Sequence, residues 1–270
     1  VDFHDGDSYY HLRRIEQILR DGRVPMFDPQ LAFPDGQRLQ WHGGYDLAVA
    51  ALVGAVCGAP SRRECLEPVA AFSTPLFGIF AIAAVLALGW VVAGRRTALG
   101  AALFFALWPF SAGSAALGMV DHHVLEPLLP SLWMIALARG RPLLAGSLCG
   151  LSLAVFPTAL WPIAATVLAL VIERVWSARP GCAPDWLALR TLGAATLCAV
   201  PVVWSSAYAR EFEPAATSLF HLAALAASTA LFALLELCLQ RAQRHPRRSP
   251  EGPPRRRLRT CDDIRRRVWT

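Results

Sequence analysis

Two short stretches hold residue types that can do chemistry. The first is His4-Asp5-Gly6-Asp7-Ser8-Tyr9-Tyr10-His11-Leu12-Arg13-Arg14. A carboxylate at a helix entrance, followed by aromatics and arginines, suits a metal and phosphate site; it equally suits a solvated N-cap with ordinary loop charges. The second is Gly118-Met119-Val120-Asp121-His122-His123-Val124-Leu125-Glu126. Thr97 to Val120, just before Asp121, contains no charge. An ionisable group at mid-membrane costs about 2.5–3.5 kcal/mol, so three in a row at the edge of an apolar run point to function; the alternative is an interfacial turn with snorkelling side chains. Asp121 and His123 stand at i and i+2. On a turn entering a helix both can face one ion, with His122 pointing elsewhere. Carboxylate plus imidazole suits Mn²⁺ or Mg²⁺ better than Ca²⁺.

The elements that must position these residues are apolar helices. Of 270 residues 55% are apolar and 17% charged, with a mean hydropathy of +0.40; soluble domains average about 25% charged. Pro68 to Gly94 and Thr97 to Val120 are uncharged and long enough to span a bilayer, which takes about 20 residues. This excludes a soluble enzyme, a secreted disulfide scaffold and a disordered tail protein. The net charge of +6 belongs to the end of the chain, because residues 241–270 hold 11 of the 26 basic residues and 3 of the 20 acids. A nucleic-acid partner would rest on that tail alone, and none is expected. The seven cysteines show no CxxC and no metal-ligand spacing, and read as small core residues.

Three regions follow. Residues 1–67 form an external loop with short helices. Tyr9 to Leu19 has helical apolar spacing, Asp7 and Ser8 are N-cap candidates, and Asp21-Gly22 is a stop. Asp46 to Ala59 is too short for a span and reads as interfacial or buried. Residues 68–240 form a transmembrane bundle, with spans at 68–94, 97–120, 124–138, two within 143–172, 189–208 and 214–235. Residues 143–172 divide at Phe156-Pro157-Thr158, since proline ends a helix at the residue before it. Seven crossings put Arg95-Arg96, Arg139/Arg141, Arg174/Arg179/Arg190 and the tail on the cytoplasmic side. Residues 1–67 and the Asp121 turn then share the other face. Residues 241–270 are an Arg/Pro-rich cytoplasmic tail that reads as disordered, with anionic lipid as its simplest partner. His221, inside the last span, reads as a packed interface residue.

The run Asp7-Ser8-Tyr9-Tyr10-His11-Leu12-Arg13, the loop Phe27-Asp28-Pro29…Phe33-Pro34-Asp35-Gly36…Trp41 and Gly118…Asp121-His122-His123, in that order, resemble the catalytic subunit of oligosaccharyltransferase, in its archaeal and bacterial single-subunit form. The resemblance covers roughly residues 1–240. It implies an all-α polytopic membrane protein of C-type glycosyltransferase architecture. It also implies that a lipid-linked (pyro)phosphate donor gives its oligosaccharide to an Asn side chain of an acceptor polypeptide. By the same resemblance Asp7 and Asp121 are catalytic, Asp7, Asp121 and His123 hold a Mn or Mg ion, and Arg13 or Arg14 contacts donor phosphate. The expected setting is the inner cell membrane with the active face periplasmic or extracellular.

Two departures stand out. The chain has no Trp-Trp pair, whereas the family carries a Trp-Trp-Asp acceptor motif in a C-terminal domain. The later external loop that supplies a Glu also has no counterpart, and Glu211 and Glu213 read as loop charges. The chain opens at Val1 without a first span, so it is expected to be truncated at both ends and inactive alone. The alternatives are another lipid-linked-sugar transferase of the same fold, or a non-catalytic membrane fragment.

Overall fold

The computed structural model describes residues 3, 5–58, 63–177 and 185–244; the tail expected at 241–270 lies almost wholly outside them. Among the described residues the fold is helical apart from one two-stranded hairpin and an isolated bridge between Tyr208 and Ser218.

The first region folds as α1 (Gly6–Asp21) and α2 (Gly44–Cys57), with β1 (Phe27–Asp28) and β2 (Gln37–Arg38) between them. Helix α1 buries Ser8, His11, Leu12, Ile15 and Ile18, one face at i+3/i+4 spacing. It ends where Gly22 takes φ 67 and returns its N–H to Ile18. Its cap is Asp5, whose carboxylate accepts from Ser8 N at 2.8 Å; the expected caps Asp7 and Ser8 lie inside the first turn. Three cap-capable residues in four positions look alike in sequence, and only the chain direction before Gly6 selects among them. Helix α2 lays Tyr45, Val49 and Val53 against α1 and against Leu66 and Ala70 of the next helix.

Helix α3 (Arg63–Leu107) is two arms that meet at Gly94, whose φ of 81 reverses the chain. The arms pack so tightly that a Cβ on Gly89 would lie 2.8 Å from Ala98 Cα. These arms correspond to the two spans expected on either side of Arg95-Arg96. The second differs from expectation: it stops at Leu107, and Pro109 starts the short α4 (Pro109–Ser114), because Trp108 before proline is extended (ψ 125). A 3₁₀ turn, η1 (His122–Val124), leads into α5 (Leu125–Ala138). Then come α6 (Pro142–Ser152), a second 3₁₀ turn η2 (Pro157–Ala159), α7 (Leu160–Ser177), α8 (Trp186–Trp204) and α9 (Leu219–Arg244). The expected division of 143–172 at Pro157 is therefore present. Helices α6 and α8 touch backbone to backbone: a Cβ at Gly146 would meet Thr191 O at 2.1 Å, and one at Gly150 would meet Ala195 O at 2.3 Å. Lipid supplies little hydrophobic drive between helices, so small residues at such contacts maximise dispersion.

Among the described residues four helices are long and apolar enough to cross a membrane: Arg63–Leu107, Pro157–Ser177, Trp186–Trp204 and Leu219–Ala242. The cysteine reading needs correction. Cys57 and Cys65 form a disulfide with Cα atoms 6.0 Å apart, tying the end of α2 to the start of α3. Two isolated cysteines eight positions apart carry no pairing signal until α2 and α3 pack together. Cys149 is buried, Cys198 half-buried and Cys238 exposed; Cys182 and Cys261 lie outside the described residues.

Candidate active site

The loops that meet at one end of the bundle are stitched by specific bonds. Ser8, fully buried, accepts the N–H of Val120 at 3.1 Å, bringing the first turn of α1 to the Asp121 segment. That segment is braced on α3, where Ala71 O accepts from Gly118 N at 3.3 Å and Thr74 donates to Met119 O. The α8–α9 loop docks on the hairpin: Arg38 pairs with Glu211 at 2.5 Å and stacks on Tyr208, and Gln40 O accepts from Thr217 N at 3.2 Å. Glu211 is thereby a structural loop charge, and Glu213 accepts from Ala215 N.

A cavity of about 400 Å³ opens at this junction, lined by Asp7, His11, Trp41, Asp121, His122, His123, Glu126 and the Pro157-Thr158 turn. Asp7 and Asp121, 114 positions apart in sequence, thus line one space, together with His123. Asp121 is the hub. Its Oδ1 accepts the His122 N–H at 2.6 Å and faces His122 Nδ1 at 2.7 Å and His11 Nε2 at 3.5 Å. Its Oδ2 lies 3.5 Å from His123 Nε2. His123 Nδ1 in turn meets Glu126 at 2.9 Å.

His122 does not point away as expected. Residues 122–124 form a 3₁₀ turn, with roughly 120° per residue rather than strand alternation. The two rings lie together, centroids 4.6 Å apart. Among the described residues, His11/Asp121/His122 and His122/His123/Glu126 are the trios whose donor atoms fall within 4.8 Å; Asp7 joins neither trio but faces the same cavity.

The electrostatics favour charged groups here. Burial opposes the Asp121 carboxylate, but hydrogen bonds from His11 and His122 outweigh it and hold the group well below the usual carboxylate range. Burial likewise opposes charge on His11, yet Asp46 and Asp121 lift it from 6.5 to about 9. The hydrogen bond to Glu126 raises His123.

The two arginines lie elsewhere. Arg14 is fully buried, 3.1 Å from Asp46 and stacked on Tyr10. Arg13 pairs with Asp28 and Gln30. Arg14 is packed inward against α2, while the half-buried Arg13 turns to the hairpin region, and neither lines the cavity. Sequence reasoning missed Asp46 and gave His11 no role; both depend on α2 folding back on α1, which no local spacing signals. Glu126 was within reach of the sequence, three residues after His123 on a helix entrance. His221 behaves as the interface residue expected, with Nε2 3.1 Å from Pro157 O.

Beside the site lies an apolar groove of about 580 Å³ with Phe104, Trp108, Phe156 and Trp161 in its walls. Glu126 and Thr158 line both spaces.

A bundle of membrane-length apolar helices with a carboxylate–imidazole cavity at one end defines an integral membrane protein with a polar site at its surface. A family model, oligosaccharyl transferase STT3, N-terminal, matches residues 2–235, and the chain belongs to that family. Dolichyl-phosphooligosaccharide-protein glycotransferase 2 of Archaeoglobus fulgidus is 30% identical over 145 residues, covering 52% of this chain and 23% of that protein. The chain thus spans about a quarter of that relative's length. Two solved structures from Archaeoglobus fulgidus share the fold. An oligosaccharyltransferase in complex with Zn and sulfate superposes with a TM-score of 0.75 at 22% identity, covering 88% of this chain and 32% of that one. The oligosaccharyltransferase AglB in complex with an inhibitory peptide and a dolichol-phosphate gives 0.73 at 21% identity, covering 92% and 31%.

Proposed function

We propose that this chain carries the metal- and donor-binding part of an oligosaccharyltransferase, which transfers an oligosaccharide from a lipid-linked (pyro)phosphate to an Asn side chain of an acceptor polypeptide. The observation that carries this reading is the single cavity lined by Asp7, Asp121 and His123, adjoining an apolar groove. A donor of this class has an isoprenoid-like tail and a charged phosphate. The groove suits the tail, and the shared lining at Glu126 and Thr158 suits the step from apolar to charged chemistry. The name of the first relative and the dolichol-phosphate in the second structure support the same donor class.

Asp7, Asp121 and His123 would hold the divalent ion, Mn²⁺ or Mg²⁺. The donor set fits: carboxylate oxygens with one imidazole, in a space with room for water or substrate oxygen in the remaining positions. The Zn in a structural relative supports a divalent site of this kind. When bound, such an ion supplies Lewis-acid stabilisation of the departing phosphate. The chain's own groups orient around that event. His11 and His122 fix one Asp121 oxygen, Glu126 fixes the His123 ring, and Asp7 projects from the first turn of α1.

Seven crossings of an inner membrane, with the cavity on the periplasmic or extracellular face, account best for the remaining features. Exposed tryptophans fall at helix ends: Trp108, Trp161 and Trp204 at the ends that this topology makes external, and Trp90, Trp176 and Trp186 toward the arginine-bearing connections. Trp161 to Trp176 rises roughly 23 Å and Trp186 to Trp204 roughly 27 Å, close to a hydrocarbon core of about 30 Å bounded by aromatic belts. The disulfide at the cavity end fits an oxidising compartment.

The test is glycan transfer by the protein that contains this chain, using a lipid-linked oligosaccharide and an Asn-bearing peptide. Asp121→Ala is expected to abolish transfer, and EDTA treatment to do the same, reversibly with Mn²⁺ or Mg²⁺. Wild-type rates from Asp121→Ala would refute the reading.

A further inference from the structure

Behind Asp121 a file of charged groups runs into the protein. His11 Nε2 lies 3.5 Å from Asp121 Oδ1, His11 Nδ1 lies 2.6 Å from Asp46 Oδ1, and Asp46 Oδ2 lies 3.1 Å from Arg14 Nη1. His11 is 3% exposed, Asp46 and Arg14 0%. Arg14 is itself held by the Tyr10 ring, 5.4 Å from its centroid, and by the Trp41 carbonyl at 3.4 Å. Three of the four groups come from α1 and α2; the fourth, Asp121, is more than 70 positions further along the chain.

Stability gives no reason for this arrangement. Buried ion pairs often gain nothing over apolar residues of the same volume, and the surrounding cluster of Leu12, Ile15, Tyr45 and Val49 is otherwise apolar. The file does have one geometric consequence. Asp121 Oδ1 is already engaged by His11 Nε2, His122 Nδ1 and the His122 N–H. Oδ2 faces His123 Nε2 at 3.5 Å, and all four residues line the cavity. We infer that His11, fixed by Asp46 and Arg14, is a positioning residue that locks the Asp121 carboxylate so that a single oxygen is presented to a divalent cation in the cavity. Asp46 holds Nδ1, which fixes the ring so that Nε2 faces Asp121. Arg14 in turn holds Asp46 from the opposite side. The first external loop thereby sets the geometry of a ligand that it does not itself supply. This inference rests on the metal-site reading above.

Outer partners of metal ligands are commonly worth 10–100-fold in affinity. The experiment measures Mn²⁺ binding to the purified protein containing this chain, by electron paramagnetic resonance of free Mn²⁺, in parallel with transfer kinetics. His11→Ala and Asp46→Asn are expected to weaken Mn²⁺ binding 10–100-fold and to lower kcat more than they raise the donor KM. His11→Gln, which keeps a donor toward Asp121, is expected to recover part of both. Asp121→Ala is the reference for the metal site itself. If Asp121→Ala loses Mn²⁺ while His11→Ala and Asp46→Asn bind it as wild type does, the positioning role is overturned and the metal site stands. If Asp121→Ala also binds as wild type, the metal site falls and the positioning role with it. A loss in Asp46→Asn as complete as in Asp121→Ala, with no recovery in His11→Gln, would make His11 a direct ligand and overturn the positioning role. Should all three variants of His11 and Asp46 fail to fold, the file is purely structural and the inference is overturned.

Discussion

Removing Glu236 should unfasten the far end of the bundle. Arg174 on α7 donates through Nε to Glu236 Oε1 and through Nη2 to Oε2 at 2.8 Å, a two-pronged pair between helices α7 and α9. The residues are 5% and 2% exposed, and Leu170 of α7, Leu192 of α8 and Phe232 of α9 form an apolar cluster. Glu236→Leu leaves the guanidinium buried against that cluster. Breaking one side of such a pair costs about 3–5 kcal/mol. Trp176, two positions on, is 88% exposed, so a partial escape of the long Arg174 side chain toward a polar surface puts the expectation at the lower end, about 3 kcal/mol or roughly 100-fold in the folding equilibrium. Arg174→Met should cost a similar amount. The double variant should return to within about 1 kcal/mol of wild type, because the penalty lies in the orphaned charge and not in the lost attraction. Denaturation of the purified chain in bicelles, followed by far-UV circular dichroism, reads all four corners of the cycle. Glu236→Leu within about 0.5 kcal/mol of wild type, or a double variant as unstable as the sum of the singles, would refute the reasoning.

Gly150→Val should destabilise the α6–α8 contact by about 1–3 kcal/mol or more, since even its Cβ would lie 2.3 Å from Ala195 O; a lowered Tm relative to Gly193→Val, where a Cβ meets nothing within 4 Å, checks it. Reducing the Cys57–Cys65 disulfide, whose partners are eight positions apart, should cost about 2.5 kcal/mol on the chain-entropy view of a loop this short, read as a Tm difference with and without reductant. Burial, and secondarily the Arg14 guanidinium, hold His42 below its ordinary 6.5. The unfolded chain therefore takes up that proton first, so stability is full above about pH 6.5 and is lost as pH falls toward the lower folded value. His42→Gln should flatten that acid limb in unfolding measured from pH 7.5 to 5; an unchanged limb would assign it to other groups.

What could be read from the chain is what local chemistry dictates. The 3.6-residue pattern of Leu12, Ile15 and Ile18, the stop at Gly22 and the division at Pro157 all follow from backbone rules acting over a few residues. The order of the two motifs, with the arginine distribution, brought Asp7 and Asp121 to one face, and both line the same cavity. What escaped reading depends on distant contacts. Arg14 resembles a surface arginine until α2 brings Asp46 to it. In sequence His122 alternates away from its neighbours, and only the 3₁₀ turn brings it back beside them. The disulfide needs α2 and α3 to bring Cys57 and Cys65 together. The end of the second arm of α3 at Leu107 was locally signalled by Trp108-Pro109, and only the unbroken apolar run concealed it.

The interruption between α6 and α7 explains why these distant contacts must form together. A helix broken near membrane depth strands backbone carbonyls, and lipid offers them no partner. Here the carbonyls of Leu153, Ala154 and Pro157 are met by protein. Thr217 donates to Leu153 O at 3.1 Å, Gly44 N to Ala154 O at 2.7 Å, and His221 Nε2 lies 3.1 Å from Pro157 O. The partners come from the entrance of α9 and the start of α2. Gly44 can approach only because it lacks a side chain, since a Cβ there would lie 2.5 Å from Ala154 O. The same interruption places Pro157 and Thr158 in the wall of the cavity. The contact that satisfies the broken helix also seats the α1–α2 region, and with it Asp46, His11 and Asp7. An error in the packing of α1 and α2 would therefore leave backbone carbonyls unpaired as well as a carboxylate misplaced. Membrane energetics and site geometry thus select one arrangement of the loop.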